Sequence, residues 1–443
     1  MSIPPGLRPG RTAYVNVRLL DPASGLDAMG ALLTEGEAVA DFGPRLLNDG
    51  IPEGVQVIDG RGACLAPGLV DMRVQLCEPG EEHKETLQSG SEAAAAGGVT
   101  AVVALPNTAP VIDDVSGIEF IARRAREVKL VKVYSHAAVT KGLAGKELAE
   151  IGLLKEAGAL AFTDGLKPVA SSLVLRRALS YARTFAALII QRPEEPELGE
   201  GGAMNEGEVA TRLGLPGIPR LAEVMLLERD LRLVELTGGR YHAGPLSTAE
   251  GVAAMRAAKA RGLAVTCDTA PHYFTLDESA VGDYRTFAKV SPPLRRPEDI
   301  AALIAGLADG TIDVIASDHS PQDQDSKRQP FVQAAAGIIG LETLLPLSLA
   351  LYHRGRLGLL AALAPLTHKP AALLGLAAGR LQKGAAADLV LFDPTASWTV
   401  EERRFRSKSK NSPFAEREVQ GKVLRTIVDG RPVFGNGEKD ARR

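Results

Sequence analysis

GLVDMRVQLCEPG, residues 68–80, decides the fold. It is a short, mostly apolar run with Gly at its start and Pro-Gly at its end, and polar side chains lie towards its carboxyl end. Seven comparable runs follow, separated by Ala- and Leu-rich stretches typical of helices: TAVVALP, VKVYSHA, GALAFTD, AALIIQ, GRYHAGP, LAVTCDTAP and DVIASDHSP. Short apolar runs that alternate with helices are typical of buried parallel strands. Eight such units predict an α/β fold, a (β/α)8 TIM-type barrel over residues 67–375. A doubly wound open sheet is the alternative, but no GxGxxG follows any strand.

The two ends of the chain have a different pattern. AYVNVRLL (13–20) and VQVIDGRG (55–62) are β-prone runs separated by turn residues, and GRLQKGAAADLVLFDP (379–394) and GKVLRTIVDGRPVF (421–434) repeat the pattern near the other end. We therefore predict a small β-sandwich domain that combines residues 1–66 with residues 376–443.

Composition limits the classes of function. The 443 residues are 45% hydrophobic and 24% charged with a formal net charge of −3, which gives no electrostatic case for binding nucleic acid or an anionic membrane. No apolar run has the length of a signal peptide or a spanning helix, so we expect a cytoplasmic protein. Three widely spaced cysteines, Cys64, Cys77 and Cys267, indicate reduced thiols.

In a barrel, catalytic side chains lie at the carboxyl ends of the strands. A catalytic zinc there needs about three His or carboxylate ligands and an open position for water. Carboxylates are present at these ends, but the histidines are scattered and never form an HxH pair. The predicted strand ends carry Arg73, Gln75, Asn107, His136, Asp164, Gln191, His242, Pro245, His272, Asp318 and His319.

The chain resembles the dihydroorotases of the amidohydrolase superfamily from about residue 13 to residue 434. The phrases that carry the resemblance are PGLVD, EPGEEHKET, AAAAGGVTAVVALPNTAPVID, AVTKG, KVSPPLR, DGTIDVIASDH, AAGIIGLET, GAAADLVLFDP and SKSKNSPF. The resemblance implies the barrel fold, a zinc centre and the chemistry of cyclic amides. Fold alone does not imply activity, so each site residue needs its own comparison.

The metal pattern that the resemblance implies is largely replaced. The family's first strand ends in Asp-x-His-x-His, and here Asp71 is kept while Arg73 and Gln75 stand at the two histidine positions. The next two ligand histidines are Gln191 and Pro245. The bridging acid of strand four corresponds to Asp164, or to Gly165 if the alignment shifts by one residue. Asp318 corresponds to the family's final ligand and proton shuttle.

Arginine and proline offer no lone pair, and glutamine is a poor zinc ligand. We therefore predict no bound metal, and Asp318 and Asp164 as vestigial groups. Removing a dication would leave these carboxylates facing each other, so Arg73 is expected to pair with one of them.

The substrate positions that the resemblance implies are partly replaced too. Family residues that hold dihydroorotate correspond here to Cys77, Asn107, Ser291 and Gln322, of which only Asn107 keeps its type. The bland interpretation of Asn107 is a turn residue, and that of Cys77 is an inert buried thiol. His136, His242, His272 and His319 are expected to be structural histidines that satisfy hydrogen bonds.

Two functions follow from the resemblance. The first is a non-catalytic dihydroorotase homologue that assembles or supports aspartate carbamoyltransferase in pyrimidine biosynthesis, within a homo-oligomer or hetero-oligomer. The alternative is an active dihydroorotase, or a related cyclic amidohydrolase, with an atypical site. The pattern of replaced ligands favours the first. Two polar segments, 192–208 and 321–333, are expected to be solvated loops, with an active-site lid as the alternative.

Overall fold

The computed structural model describes residues 10–48 and 50–435, so the outermost parts of the predicted β domain, 1–9 and 436–443, lie outside the described residues. The strands are β1 (Arg11–Asp21), β2 (Leu26–Glu35), β3 (Ala38–Gly43), β4 (Gln56–Asp59), β5 (Cys64–Pro67), β6 (Leu69–Val74), β7 (Val99–Ala104), β8 (Lys132–Ser135), β9 (Leu188–Gln191), β10 (Met204–Asn205), β11 (Gly217–Ile218), β12 (Arg240–Ala243), β13 (Val265–Thr269), β14 (Val314–Ile315), β15 (Leu389–Thr399), β16 (Glu418–Val428) and β17 (Arg431–Phe434).

The helices follow the strands in alternation through the middle of the chain. They are α1 (Leu87–Ala96), α2 (Val115–Val128), α3 (Ile151–Glu156), α4 (Ser172–Thr184), α5 (Pro196–Gly199), α6 (Glu208–Leu213), α7 (Leu221–Thr237), α8 (Ala249–Ala260), α9 (Pro297–Ala308), α10 (Gln324–Lys327), α11 (Leu344–His353), α12 (Leu359–Leu363) and α13 (His368–Leu374). Capping residues in the sequence determine where several helices begin. The side chains of four N-cap residues accept a hydrogen bond from a backbone N–H group in the first turn: Thr86, Asp114, Ser171 and Thr248. Among the described residues, no helix combines the length and the apolar character needed to cross a bilayer.

Strands from the two ends of the chain pair directly. Eight strands form one sheet in the order β17-β16-β15-β5-β1-β2-β3, with β4 paired to β1. The link between the ends is the antiparallel pair of β5 with β15, in register from Leu389 opposite Pro67 to Phe392 opposite Cys64. Hydrogen bonds thus join strands from both ends of the chain into one sheet, and the sandwich packing of that sheet stays a prediction.

The middle of the chain is α/β. Parallel strands form one sheet of order β6-β7-β8 and another of order β14-β13-β12-β9. Isolated parallel bridges extend them: Phe162 pairs with both Ala137 and Ile189, and Val74 pairs with His319 just beyond β14. One apolar cluster collects side chains from these strands, among them Met72, Val103, Ala161, Ile190 and Val314. Strands far apart in sequence therefore share one interior.

The two polar segments expected to be solvated loops are structured. Residues 192–208 include α5 and β10, and residues 321–333 include α10. Ala203 and Met204 from the first segment share a small apolar core with Phe331 from the second. The hydrophobic contact explains the difference, because each segment places a few apolar residues among many polar ones and buries them against the other.

Candidate functional site

Arg73 lies at the carboxyl end of β6 and points into the protein, with only 2% of its surface exposed. Its Nη2 donates to the carbonyl oxygen of Gly244 at 2.7 Å, and Nη2 and Nε lie 3.3 and 3.4 Å from Asp268 Oδ2. The carboxylate that Arg73 pairs with is thus Asp268, where the sequence led us to expect Asp318 or Asp164. Among the described residues, Nη1 has no hydrogen-bond partner.

Asp268 is fully buried on β13 and has a second partner. His242 Nε2 donates to Asp268 Oδ2 at 3.0 Å, while His242 Nδ1 lies 2.8 Å from the Thr266 hydroxyl. Burial opposes the charge of Asp268, but the charge of Arg73 and the bond from His242 prevail and lower its pKa below the ordinary value. Asp268 was missed in the sequence, where a single acid inside the apolar run LAVTCDTAP was the available signal.

Asp318 lies just beyond β14 with 12% of its side chain exposed, and its carboxylate Oδ2 is 3.7 Å from His272 Nε2. Burial raises the pKa of Asp318 to about 7; Arg73 and Arg192 oppose this shift, while Asp268 and Asp71 add to it. Burial lowers the pKa of His272 to about 3, so its imidazole is neutral. His272 Nε2 has no hydrogen-bond partner within the described part of the chain.

We call Arg73, Asp268, His272 and Asp318 the strand-end cluster. Asp164 does not belong to it, although sequence placed it there. Its Oδ1 accepts backbone N–H bonds from Val139 at 3.0 Å and Thr140 at 2.9 Å, which fixes the loop after β8. A Cβ built on Gly165 would lie 3.0 Å from Asn107 Oδ1, so position 165 faces Asn107.

Two glutamines stand at positions where the resemblance implies ligand histidines, and both make hydrogen bonds within the protein. Gln191 donates to Asp230 Oδ2 and accepts from the Val169 N–H, both at 2.8 Å, so both ends of its amide are occupied. Gln75 donates to the Ser320 hydroxyl and accepts from Asn107 Nδ2 at 3.0 Å. In each amide, both the oxygen and the nitrogen thus have a hydrogen-bond partner.

The remaining predicted pocket residues each have contacts of their own. Cys77 is buried, and Ser291 receives a hydrogen bond from Arg192 Nη2. Gln322 Nε2 donates to the carbonyl oxygen of Ala336 at 3.1 Å, and its backbone N–H donates to Asn411. Asn107 Nδ2 donates to Gln75 at the first strand end. Its own Oδ1 finds no partner among the described residues.

The histidines expected to be structural divide into two kinds. His136 Nε2 donates to the carbonyl oxygen of Met72 at 2.9 Å, and His319 Nδ1 accepts from the Gly340 N–H at 3.1 Å. His319 Nε2 also lies 3.4 Å from Glu85 Oε2. Hydrogen bonds therefore fix these two rings and that of His242. His272 Nε2, like His136 Nδ1 and His319 Nε2, has no hydrogen-bond partner among the described residues, and it lies next to Asp318.

All three cysteines are buried, and burial raises the pKa of Cys77 to about 12 and that of Cys64 to about 11. A thiolate is the reactive form, so neither is a nucleophile near neutral pH. We expect a thiol reagent such as DTNB to modify well under one thiol per native chain within minutes. In denatured protein, all three thiols should react. Rapid modification of a thiol in the native chain would contradict this.

The charge state of His136 predicts a pH dependence of stability. Burial lowers its pKa to about 4, and the charges around it are those of Arg73, His242 and Asp268. The unfolded chain binds this proton near pH 6.5 and the folded chain does not, so stability falls as pH drops from 6.5 towards 4. Urea titrations at pH 7 and pH 4.5 give the fall in the free energy of unfolding between the two pH values. This fall should be about 2–3 kcal/mol smaller for His136→Gln than for the wild type.

The control for that measurement is His83→Gln, which alters a histidine whose side chain is 62% exposed. It should show the same loss between the two pH values as the wild type. Equal losses for His136→Gln and the wild type would contradict the prediction.

Zinc does not fit the residues at these strand ends. No group of three or more His, Cys, Asp or Glu side chains that could hold a metal occurs within residues 10–48 and 50–435. Of the positions where the resemblance implies ligand histidines, one holds a cation, Arg73, and another holds Gln191, whose amide donates to Asp230.

Comparison with known proteins assigns the family. The pattern described as dihydro-orotase-like matches residues 62–251, and that of the amidohydrolase family matches residues 230–433. A protein of Anaplasma phagocytophilum named dihydroorotase is 47% identical over 428 residues, covering 95% of each chain. A dihydroorotase of Pelobacter propionicus is 48% identical over 419 residues, covering 95% of this chain and 98% of its own. The chain belongs to the dihydroorotase family.

Solved structures agree with this fold. L-hydantoinase from Arthrobacter aurescens superposes with a TM-score of 0.85 at 25% identity, covering 96% of both chains. Dihydropyrimidinase from Brevibacillus agri gives 0.83 at 23% identity over 95% of this chain and 94% of its own, a likeness of fold alone. The dihydroorotase-family chain therefore has an α/β fold of the amidohydrolase type.

The prediction that this dihydroorotase-family chain is an inactive homologue is wrong. Relatives 45–48% identical over almost the whole chain, including one from Ehrlichia canis, are named for an enzyme, dihydroorotase. Arg73, Gln75, Gln191 and Pro245, the residues on which that prediction rested, do not establish an inactive chain.

Proposed function

We propose that the chain interconverts N-carbamoyl-aspartate and dihydroorotate, using a site that differs from the family's zinc centre. The observation that carries this proposal is the 45–48% identity, over nearly the full chain, to proteins named dihydroorotase. The alternative substrate is a related cyclic amide, which the likeness to a hydantoinase at 25% identity supports.

We place the reaction at the strand-end cluster, within a closed eight-stranded barrel. Six of its strands come from β6, β7, β8, β9, β12 and β13, and β14 and the residues around Phe162 supply the other two. The shared interior of these strands and the bridge from Val74 to His319 support closure. Carboxyl ends of barrel strands are where such enzymes carry out their chemistry.

Asp318 is the group we assign as general base. It is the carboxylate of the strand-end cluster that is not tied to an arginine, and it keeps partial access to solvent. In ring opening, Asp318 takes one proton of a water molecule as the water oxygen bonds to the amide carbon. The carbon–nitrogen bond then breaks, and the ring nitrogen accepts the proton from Asp318. Ring closure runs the same steps in reverse.

The magnitude of catalysis follows from these groups. A general base such as Asp318 typically contributes about 10²–10⁴-fold, and one hydrogen-bond donor to the oxyanion, for which Arg73 is the cation of the cluster, contributes about 10²–10³-fold. Their product, on the order of 10⁴–10⁷-fold, lies at the low end of enzymatic accelerations. We therefore expect slow but measurable turnover, and the assay must use high enzyme concentrations.

The test is a dihydroorotase assay of the purified chain in both directions, with dihydroorotate consumed and formed. Turnover that scales with enzyme concentration and disappears on heat denaturation is the expected result. Hydantoin and dihydrouracil serve as competing substrates, and preference for either would replace dihydroorotate by that ring. Absence of turnover on all three rings would overturn the proposal.

The association with aspartate carbamoyltransferase stays a prediction, and we propose it as a complex of consecutive enzymes. Support comes from the chemistry, since the carbamoyltransferase makes the linear acid that this chain would close into a ring. Co-expression with the carbamoyltransferase of the same organism, followed by size-exclusion chromatography, tests it. Separate elution of the two proteins at micromolar concentration would contradict it.

A further inference from the structure

Arg73 stands at a position where the resemblance to the family implies a metal-binding histidine. Three observations describe this place. The guanidinium is buried on the strand that would otherwise begin the metal site, it has a fixed orientation, and one of its nitrogens has no partner among the described residues. A buried hydrogen-bond donor without a partner is rare and costs free energy, so such a group often marks a place where a ligand binds.

The orientation of Arg73 is set from one side. Gly244 and Asp268 hold Nη2 and Nε, which leaves Nη1 as the nitrogen without a partner. Glycine is required at position 244, because a Cβ there would lie 2.3 Å from Asp268 Oδ1. A planar guanidinium held on two of its three nitrogens keeps the third in a constant direction.

Nη1 is a hydrogen-bond donor of a cationic group that has no partner among the described residues. Asp268 contacts only Nη2 and Nε and also accepts from His242, so it does not occupy Nη1. His272 adds a second buried nitrogen without a partner in the same cluster. Hydrogen bonds from a cation to an anionic oxygen are about twice as strong as neutral ones.

We propose that this site works without a bound metal and that the Arg73 guanidinium is its resident cation, with Nη1 holding the oxygen of the carboxyl or amide carbon that reacts. In N-carbamoyl-aspartate this atom is an oxygen of the reacting carboxylate and already shares its negative charge. In dihydroorotate it is the carbonyl oxygen of the reacting amide, and it becomes negatively charged when water adds to the carbon. The inference rests on the proposed function for the identity of this ligand, but the statement about the metal does not.

The first measurement is metal content. Purified wild-type protein, passed through gel filtration without chelator, should contain less than about 0.1 zinc per chain by mass spectrometry, and added zinc should leave Tm unchanged. Stoichiometric zinc that resists gel filtration would overturn the proposal. This readout needs no activity.

The second measurement is binding of N-carbamoyl-aspartate by calorimetry, with and without a chelator. Wild-type affinity should not respond to the chelator. The variant Arg73→Gln/Asp268→Asn removes both members of the ion pair, so that no buried charge is left alone, and it should bind about 10–100-fold more weakly. Arg73→Lys, which keeps the charge and loses the planar fork, should be intermediate.

The outcomes separate the two proposals. If the double variant binds as tightly as the wild type, or if the wild type does not bind the acid at all, the assignment to Arg73 fails. If the wild type turns over dihydroorotate while the double variant loses nothing, the proposed function stands and this inference falls. If the metal-free wild type binds the acid through Arg73 but no ring is opened, the inference stands and the proposed function falls.

Discussion

Replacing Asp268 by asparagine is expected to lower the free energy of unfolding by about 3–5 kcal/mol, the usual effect of leaving a buried charge without its partner. Asp268 is the carboxylate that both Arg73 and His242 contact, and none of the three side chains is more than 2% exposed. The asparagine has the same shape but no charge, so the Arg73 guanidinium would remain buried without an anion. Urea unfolding at pH 7 measures the effect.

A matched control exists on the surface. Asp309 also pairs with an arginine, Arg256, at 2.7 Å, but both side chains are almost half exposed. Asp309→Asn should cost about 0–1 kcal/mol, because water screens the pair. Adding Arg73→Gln to Asp268→Asn should recover much of the lost stability, since both charges are then gone. Equal losses for the two single variants would show that the Arg73–Asp268 contact is not a buried ion pair.

Asp318→Asn is expected to lower kcat by about 10²–10⁴-fold, the contribution of a general base. The amide keeps the size of the carboxylate and cannot take a proton from water, so KM should change little. Initial rates of dihydroorotate opening provide the measurement, with circular dichroism and Tm to show that the fold is intact. Asp325→Asn, which changes an exposed carboxylate on α10, should leave kcat within about twofold of the wild type.

A residual rate above one tenth of the wild type in Asp318→Asn would assign the proton transfer to another group. His272 would then be the first residue to replace, because its free Nε2 lies 3.7 Å from Asp318. Loss of binding together with loss of rate would instead indicate that Asp318 positions the substrate.

Sequence patterns located the strand ends correctly because strand period and turn residues are local properties. Arg73, Gln191 and Asp318 lie at or just beyond the ends of β6, β9 and β14, as the runs of apolar residues predict. Their partners depend on contacts between distant strands. Arg73 and Asp268 are 195 positions apart, and nothing in either local pattern indicates that they meet.

Asp164 shows the opposite limit. Its position after a strand-like run suggested a site residue, yet two backbone N–H groups of the loop at 139–140 bind it. The Asp164 carboxylate can either face the site or accept hydrogen bonds from the backbone of a neighbouring loop. The path of that loop decides between the two, and the local sequence around Asp164 does not reveal it. The same reasoning explains why the segments 192–208 and 321–333, polar in composition, nevertheless share an apolar core around Phe331.

The pairing of β5 with β15 has a consequence for synthesis of the chain on the ribosome. At roughly 5–20 residues per second, the strands of residues 11–67 emerge on the order of 15–60 s before Leu389, their partner, is made. During that interval the edge of β5 displays unpaired N–H and C=O groups, which another chain can bind. We therefore expect nascent chains to be most prone to aggregation before β15 is complete. Chaperones would be needed most during the interval in which β5 has been made and β15 has not.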